Sequence, residues 1–227
     1  MIFRSILGVV IGYLLGAIPT GLVVVRAARG RDIRKWYSGR TGATNVMRVA
    51  GYMPALITLL GDVFKATFAV LIGGWITGGN AWVEALAGAA AVLGHNYSIF
   101  LLEQKEGRWT LQGGAGGAST WGAFFGLWPL GALLSIPVLL GGIYYGIGYA
   151  SVATLSVPLL AGVLFTWRAA IGVGPWAYVG YAVLAEIFVA WALRPNIQRL
   201  RRGEERMVGW RAKRKIEAGE DPDKPGS

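Results

Sequence analysis

The residues from Ile6 to Val25 form an apolar run of about 20, the length that matches a hydrocarbon core of about 30 Å at a rise of about 1.5 Å per residue. Further apolar blocks run from Met53 to Thr77, from Trp82 to Leu102, and almost continuously from Ala118 to Leu193. With 54% hydrophobic and 15% charged residues, a water-soluble domain of this chain would lack polar surface to cover itself. The first run begins two residues after Arg4 but is followed by Arg26, Arg29, Arg31 and Arg34, so it reads as a retained span and not as a cleaved signal peptide.

Glycine and proline clusters divide the long block. Pro129, the stretch Gly146 to Ser151, and Gly172 with Gly174 and Pro175 mark loops. The expected architecture is an all-α, polytopic membrane helix bundle of about seven spans; six plus a re-entrant segment around Ala118 to Trp128 is the alternative count. Of the 22 Lys and Arg residues, 19 fall in three regions: Arg26 to Arg48, Lys105 with Arg108, and the tail from Arg194. An odd span count puts all three on one face, and basic residues accumulate in short cytoplasmic segments. The N-terminus is therefore expected outside and the C-terminus in the cytoplasm of a cell that holds the protein as a multi-pass cell-membrane component. Residues 1–200 form the membrane unit in this reading, and residues 201–227 a basic tail that becomes disordered beyond Glu217.

The net charge of +10 follows from that topology, and no groove-reading or base-stacking motif points to nucleic acid. The basic tail would instead be attracted to anionic membrane lipids. Cysteine is absent and His95 is the single histidine, which excludes a disulfide framework and a thiolate or histidine-cluster metal site.

Donors concentrate in three places on the expected inner face. The first loop offers the hydroxyls of Ser38, Thr41 and Thr44, the Asn45 amide and the Arg48 guanidinium, with Gly39 and Gly42 allowing close backbone approach. The second carries Gly113, Gly114, Ala115, Gly116 and Gly117 just before a helix, a backbone pattern suited to an anion and equally to close helix packing. The third is Arg194 to Leu200, where the last span ends. Each alone reads as a solvated loop or a basic anchor; together they point to a phosphorylated ligand at the membrane surface. Within the spans, Asp62 and Lys65 at i and i+3 share a helix face and are expected to pair. Glu186 has no local partner in the sequence, and His95 reads as a hydrogen-bonding residue at a helix end.

The segments Gly16-Ala17-Ile18-Pro19-Thr20-Gly21, Asp32-Ile33-Arg34, Ser38-Gly39, Gly42-Ala43-Thr44-Asn45 and Arg48 resemble, in order and spacing, the bacterial acyl-phosphate:glycerol-3-phosphate acyltransferase family. Asp62, Lys65, Gly94-His95-Asn96, the glycine loop, Tyr149-Ala150-Ser151, Asn196-Ile197 and Arg199-Leu200 extend the resemblance to about residue 205. It implies a seven-span enzyme that transfers a fatty acyl group from acyl phosphate to the primary hydroxyl of glycerol 3-phosphate, giving lysophosphatidic acid, with neither metal nor bound cofactor. Catalytic roles then fall on Ser38, Asn45 and Arg48. Substrate binding falls on Thr44, Gly113, Gly114, Gly116, Gly117, Ser151 and Asn196, with Arg40 as an added cation. Acyl phosphate is an activated mixed anhydride, so orientation, oxyanion stabilisation and a grip on the leaving phosphate suffice without a Ser-His-Asp arrangement.

The chain departs from the family pattern at Ala115, where the resemblance implies a lysine, and at Leu193, where it implies a histidine. Arg40 replaces an asparagine, and Thr154 a serine. A catalytically silent homologue that binds a phosphorylated lipid or metabolite is the competing reading, and Ala115 with Leu193 is its support.

Overall fold

A computed structural model describes residues 1–105 and 107–219. The disorder expected beyond Glu217 falls, from residue 220 on, outside that range. The first apolar run forms α1 (Ile2–Ala17) and α2 (Thr20–Arg29), broken where Pro19 drives Ile18 out of the helical region to φ −56 and ψ 118. Apolarity alone predicts one uninterrupted span over this run; the proline divides it into two helices. The break releases carbonyls inside an apolar bundle, and these must find donors. The Ile18 carbonyl accepts from Lys65 Nζ at 2.8 Å and the Ala17 carbonyl from the Ser98 hydroxyl.

The chain continues through α3 (Ala43–Ala50), α4 (Tyr52–Thr77) and α5 (Ala81–Asn96). After α5 a short antiparallel hairpin, β1 (Leu102–Lys105) and β2 (Arg108–Leu111), pairs Leu102 with Leu111 and Glu103 with Thr110. The sequence reading extended the third span to Leu102; the helix ends at Asn96, and the apolar residues beyond it belong to a turn and this hairpin. Then follow α6 (Gly117–Leu127) and α7 (Pro129–Ile136), continued by a π-helical stretch at Pro137–Ile147. Proline lacks the N–H that an α-helical turn needs, which fits the wider winding beginning at Pro137. The last elements are α8 (Ala150–Ala170), α9 (Ala177–Ala192), α10 (Arg194–Arg201) and α11 (Gly209–Glu217).

The bundle closes through small residues. A Cβ added to Gly12 would stand 2.6 Å from the Ala87 carbonyl oxygen, and one on Gly16 2.1 Å from that of Ala91, so α1 and α5 approach almost backbone to backbone. Gly122 of α6 lies as close to Val63 of α4. A ring cluster of Phe124, Phe165 and Tyr181 fills the other side, where the buried Tyr181 hydroxyl donates to the Thr120 carbonyl at 2.6 Å. Apart from that cluster, many of the large apolar side chains face outward. Trp75 is 84% exposed and Phe68 52%, the arrangement expected of a surface that meets lipid.

Among the described residues four helical units are long and apolar enough to cross a membrane: Ile2–Arg29, Tyr52–Thr77, Pro129–Ile147 and Ala150–Ala170. Ala177–Ala192 makes a fifth if it is taken with Arg194–Arg201, from which it bends by 67°. The chain is thus a polytopic helical membrane protein. At 16 residues α5 is only about 24 Å long, and α6 is shorter still.

Candidate active site

The ends of α3, α6, α8 and α10 converge on one cavity of about 410 Å³. The first loop reaches it through local pairing. Asp32 accepts from the Arg34 backbone N–H at 3.0 Å, opening a single 3-10 turn, and its carboxylate meets Arg34 at 2.7 Å and Arg26 at 3.2 Å. The Arg34 guanidinium beside it holds the Asp32 carboxyl well below the usual carboxylate range. Arg34 also reaches Glu103 at 3.0 Å, fastening the loop to the hairpin.

Asn45 closes the loop on itself. Its Nδ2 donates to the Arg40 carbonyl at 2.8 Å and the Trp36 carbonyl at 3.2 Å, while its buried Oδ1 has no hydrogen-bond partner among the described residues. Because both bonded neighbours are carbonyls, the amide orientation is set by the network, and an open acceptor is left at the cavity wall. Thr44 and Arg48, one turn apart on α3, line the same wall, as does Ser38, whose Oγ accepts from the Arg40 N–H at 3.4 Å.

Arg40 bridges two elements. Its guanidinium donates to the Gly114 carbonyl at 3.0 Å and to the Ala192 carbonyl at the end of α9. Burial is the main influence pushing its pKa down from the ordinary guanidinium value. These carbonyls immediately precede Ala115 and Leu193, and both of those residues line the cavity.

The glycine loop divides into two halves. Gly116, at φ 98, and Gly117 border the cavity with Ala115 and Ala118, and the first turn of α6 presents N–H groups that have no intrahelical acceptor. Gly113 and Gly114 do not border it. Their N–H groups are already given to the Asn96 carbonyl at 3.0 Å and the His95 carbonyl at 2.9 Å. A Cβ on Gly114 would stand 1.9 Å from His95 Nε2 and one on Gly113 2.0 Å from the His95 carbonyl oxygen, so both glycines pack closely against the end of α5.

The floor holds a buried ionic cluster. Lys65 Nζ lies 2.7 Å from Asp62 Oδ1 and 3.0 Å from His95 Nδ1, which is itself 3.4 Å from Asp62 Oδ1. The pairing of Asp62 with Lys65 is the one expected from their spacing, and His95 joins it from the end of α5. Glu186 lies elsewhere on α9, with Oε2 buried and without a hydrogen-bond partner among the described residues.

The Ser151 hydroxyl, in the first turn of α8, belongs to the same lining and is buried with no hydrogen-bond partner among the described residues. Asn196 Nδ2 donates to Glu205 Oε1 at 2.8 Å, and its Oδ1 is left open. Glu205 and Arg206 also line the cavity, although they were read from the sequence as part of a lipid-facing tail. Charge alternation gave no signal for them, because nothing in the pattern shows the tail folding back.

A helical membrane bundle with a donor-rich cavity at the ends of its helices is the class that fold and site define. Residues 6–203 match the glycerol-3-phosphate acyltransferase family, and the chain belongs to it. It is 38% identical over 216 residues to a glycerol-3-phosphate acyltransferase of Synechococcus sp. (strain CC9902), covering 94% of this chain and all of that one. It is also 38% identical to glycerol-3-phosphate acyltransferase 2 of Moorella thermoacetica, covering 91% of this chain and 99% of that one. The fold is similar to the crystal structure of PlsY, an integral membrane glycerol 3-phosphate acyltransferase, in its glycerol 3-phosphate form. The TM-score is 0.76 at 30% identity, over 94% of this chain and 98% of that one.

Proposed function

We propose that the protein transfers a fatty acyl group from acyl phosphate to the primary hydroxyl of glycerol 3-phosphate, releasing lysophosphatidic acid and inorganic phosphate. The observation that carries this reading is the convergence of Arg48, Thr44, Ser151, Asn196 and the α6 N-terminus on one cavity in a member of this family. The hydroxyl oxygen attacks the acyl carbon, the carbonyl becomes an oxyanion, and its collapse breaks the carbon–oxygen bond to phosphate. The hydroxyl proton passes to a phosphate oxygen. Asn45 Oδ1, near the start of α3, supplies an acceptor that orients the hydroxyl, with Ser38 on the loop that leads into that helix. Arg48 and Thr44 hold a phosphoryl group, and the N–H groups at Gly116 and Gly117 favour negative charge. Ser151 and Asn196 complete the lining.

Purified protein given palmitoyl phosphate and labelled glycerol 3-phosphate should form labelled lysophosphatidic acid with stoichiometric release of phosphate. Absence of that product from folded protein would sink the proposal in favour of a silent binding homologue.

The reading includes seven spans with the N-terminus outside, α5 and α6 counting as short spans. The membrane unit then extends to about residue 208, past the boundary at 200, since Glu205 and Arg206 belong to the cavity wall. Reporter fusions at Gly30, Gly78 and Gly203 should report cytoplasmic, external and cytoplasmic positions. A cytoplasmic signal at Gly78 would contradict this topology, because the link to α5 carries no Lys or Arg to hold it inside.

A further inference from the structure

The segment after α10 returns to the cavity and lies beyond residue 203, where the family match ends. It is pinned at several points. The Glu205 carboxylate is buried and accepts from Asn196 Nδ2 at 2.8 Å and Arg199 Nε at 3.1 Å. Met207 forms an antiparallel bridge with Tyr149, and the Val208 N–H donates to the Gly148 carbonyl at 2.8 Å. Arg211 donates to the Ile147 carbonyl at 3.2 Å. The strap is therefore fastened along the loop that leads into Ser151.

Between these anchors stands Arg206. Its Nη1 is buried and has no hydrogen-bond partner among the described residues, and its side chain lines the cavity. An unmet charged donor in such a place is costly unless a ligand meets it. Two further polar atoms of cavity-lining residues are buried and without a hydrogen-bond partner among the described residues: the Ser151 hydroxyl and Asn196 Oδ1. Glu205 puts a negative charge at this wall, but its carboxylate is paired with Arg199. Arg199, Glu205 and Arg206 together leave one net positive charge facing the cavity.

We infer that the C-terminal strap completes the substrate site, with Arg206 binding a phosphoryl oxygen of one of the two phosphate-bearing substrates beside Ser151. The inference rests on the acyltransferase reading for the identity of those substrates and on the cavity geometry for the anion site itself. Glu205 acts as the tether that presents Arg206.

The test uses full-length protein in uncharged detergent and the variants Arg206→Gln and Arg206→Lys. In Arg206→Gln, KM for glycerol 3-phosphate or for palmitoyl phosphate should rise about 10-fold or more with a smaller change in kcat, and Arg206→Lys should recover part of it. The KM that rises identifies which phosphate is held. Stabilisation of the wild type against heat by glycerol 3-phosphate or inorganic phosphate should shrink in Arg206→Gln; this readout holds even if the wild type transfers no acyl group, so failure of the enzyme reading is separable from failure of the strap. Unchanged KM values in Arg206→Gln, or a wild type that neither phosphate compound stabilises, would overturn the inference. A lowered KM would do the same by making the strap an obstruction. So would a defect that appears only in vesicles containing anionic lipid, which would assign Arg206 to headgroups.

Discussion

Arg48→Ala is expected to lower kcat/KM for acyl transfer by about 10-fold to more than 100-fold while the protein still inserts and folds. Arg48 lies in the last turn of α3, one turn beyond Thr44, on the face that borders the cavity. Its planar guanidinium can hold a phosphate through two parallel hydrogen bonds, which a single ammonium cannot reproduce. Losing a charge-assisted contact of that kind costs about 1.5 to 3 kcal/mol, equivalent to roughly 10-fold to more than 100-fold in kcat/KM. A partly dry cavity places the loss toward the upper end. Arg48→Lys should rescue poorly. The check is steady-state kinetics on purified variants, with thermal melting to establish that α3 remains docked through Val46 and Ala50, which are buried. A well-folded Arg48→Ala with wild-type kinetics would remove this residue from the site.

The contrast between Arg48 and the glycine loop marks how far the sequence could be read. The long spans were legible because lipid demands length and apolarity, and both are visible without structure. The first loop was legible because so many donors occur within a few residues of one another. Gly113 and Gly114 were not, since a glycine that exposes its N–H and one that admits a neighbouring ring leave the same letter. Only the positions of His95 and Asn96 show that these N–H groups are taken. The hairpin at Leu102–Leu111 was hidden for a different reason: its strands are four residues each, too short for alternation to emerge, and its apolar start continues the preceding apolar block. The break at Pro19 was signalled by the proline itself. Its consequence was less visible, because the donors that satisfy the freed carbonyls come from Lys65 and Ser98, far along the chain. The same holds for Glu205 and Arg206, whose part in the cavity depends on a tail folding back against Gly148 and Tyr149.

Arg40→Asn should lower kcat/KM by more than 10-fold, and adding Ala115→Lys should restore part of the loss. Arg40 bridges the Gly114 and Ala192 carbonyls and so brings a partly buried positive charge beside Ala115 and Leu193. At those two positions the family resemblance implies cationic or hydrogen-bonding side chains, and this chain has neither. One guanidinium, entering from the first loop, thus stands where two donors are missing. Asparagine is too short to span both carbonyls, so the substitution removes the bridge together with the charge. Melting temperature and kinetics separate these two losses. A lysine at 115 can return charge to the cavity but cannot rejoin the first loop to the end of α9; it should therefore restore turnover more than stability. Since both side chains would serve the same anion, the double variant should depart from additivity. Activity that is indifferent to Arg40 in a folded enzyme would leave the bridge a structural strut, and the α6 N–H groups at Gly116 and Gly117 would then have to hold the anion without it.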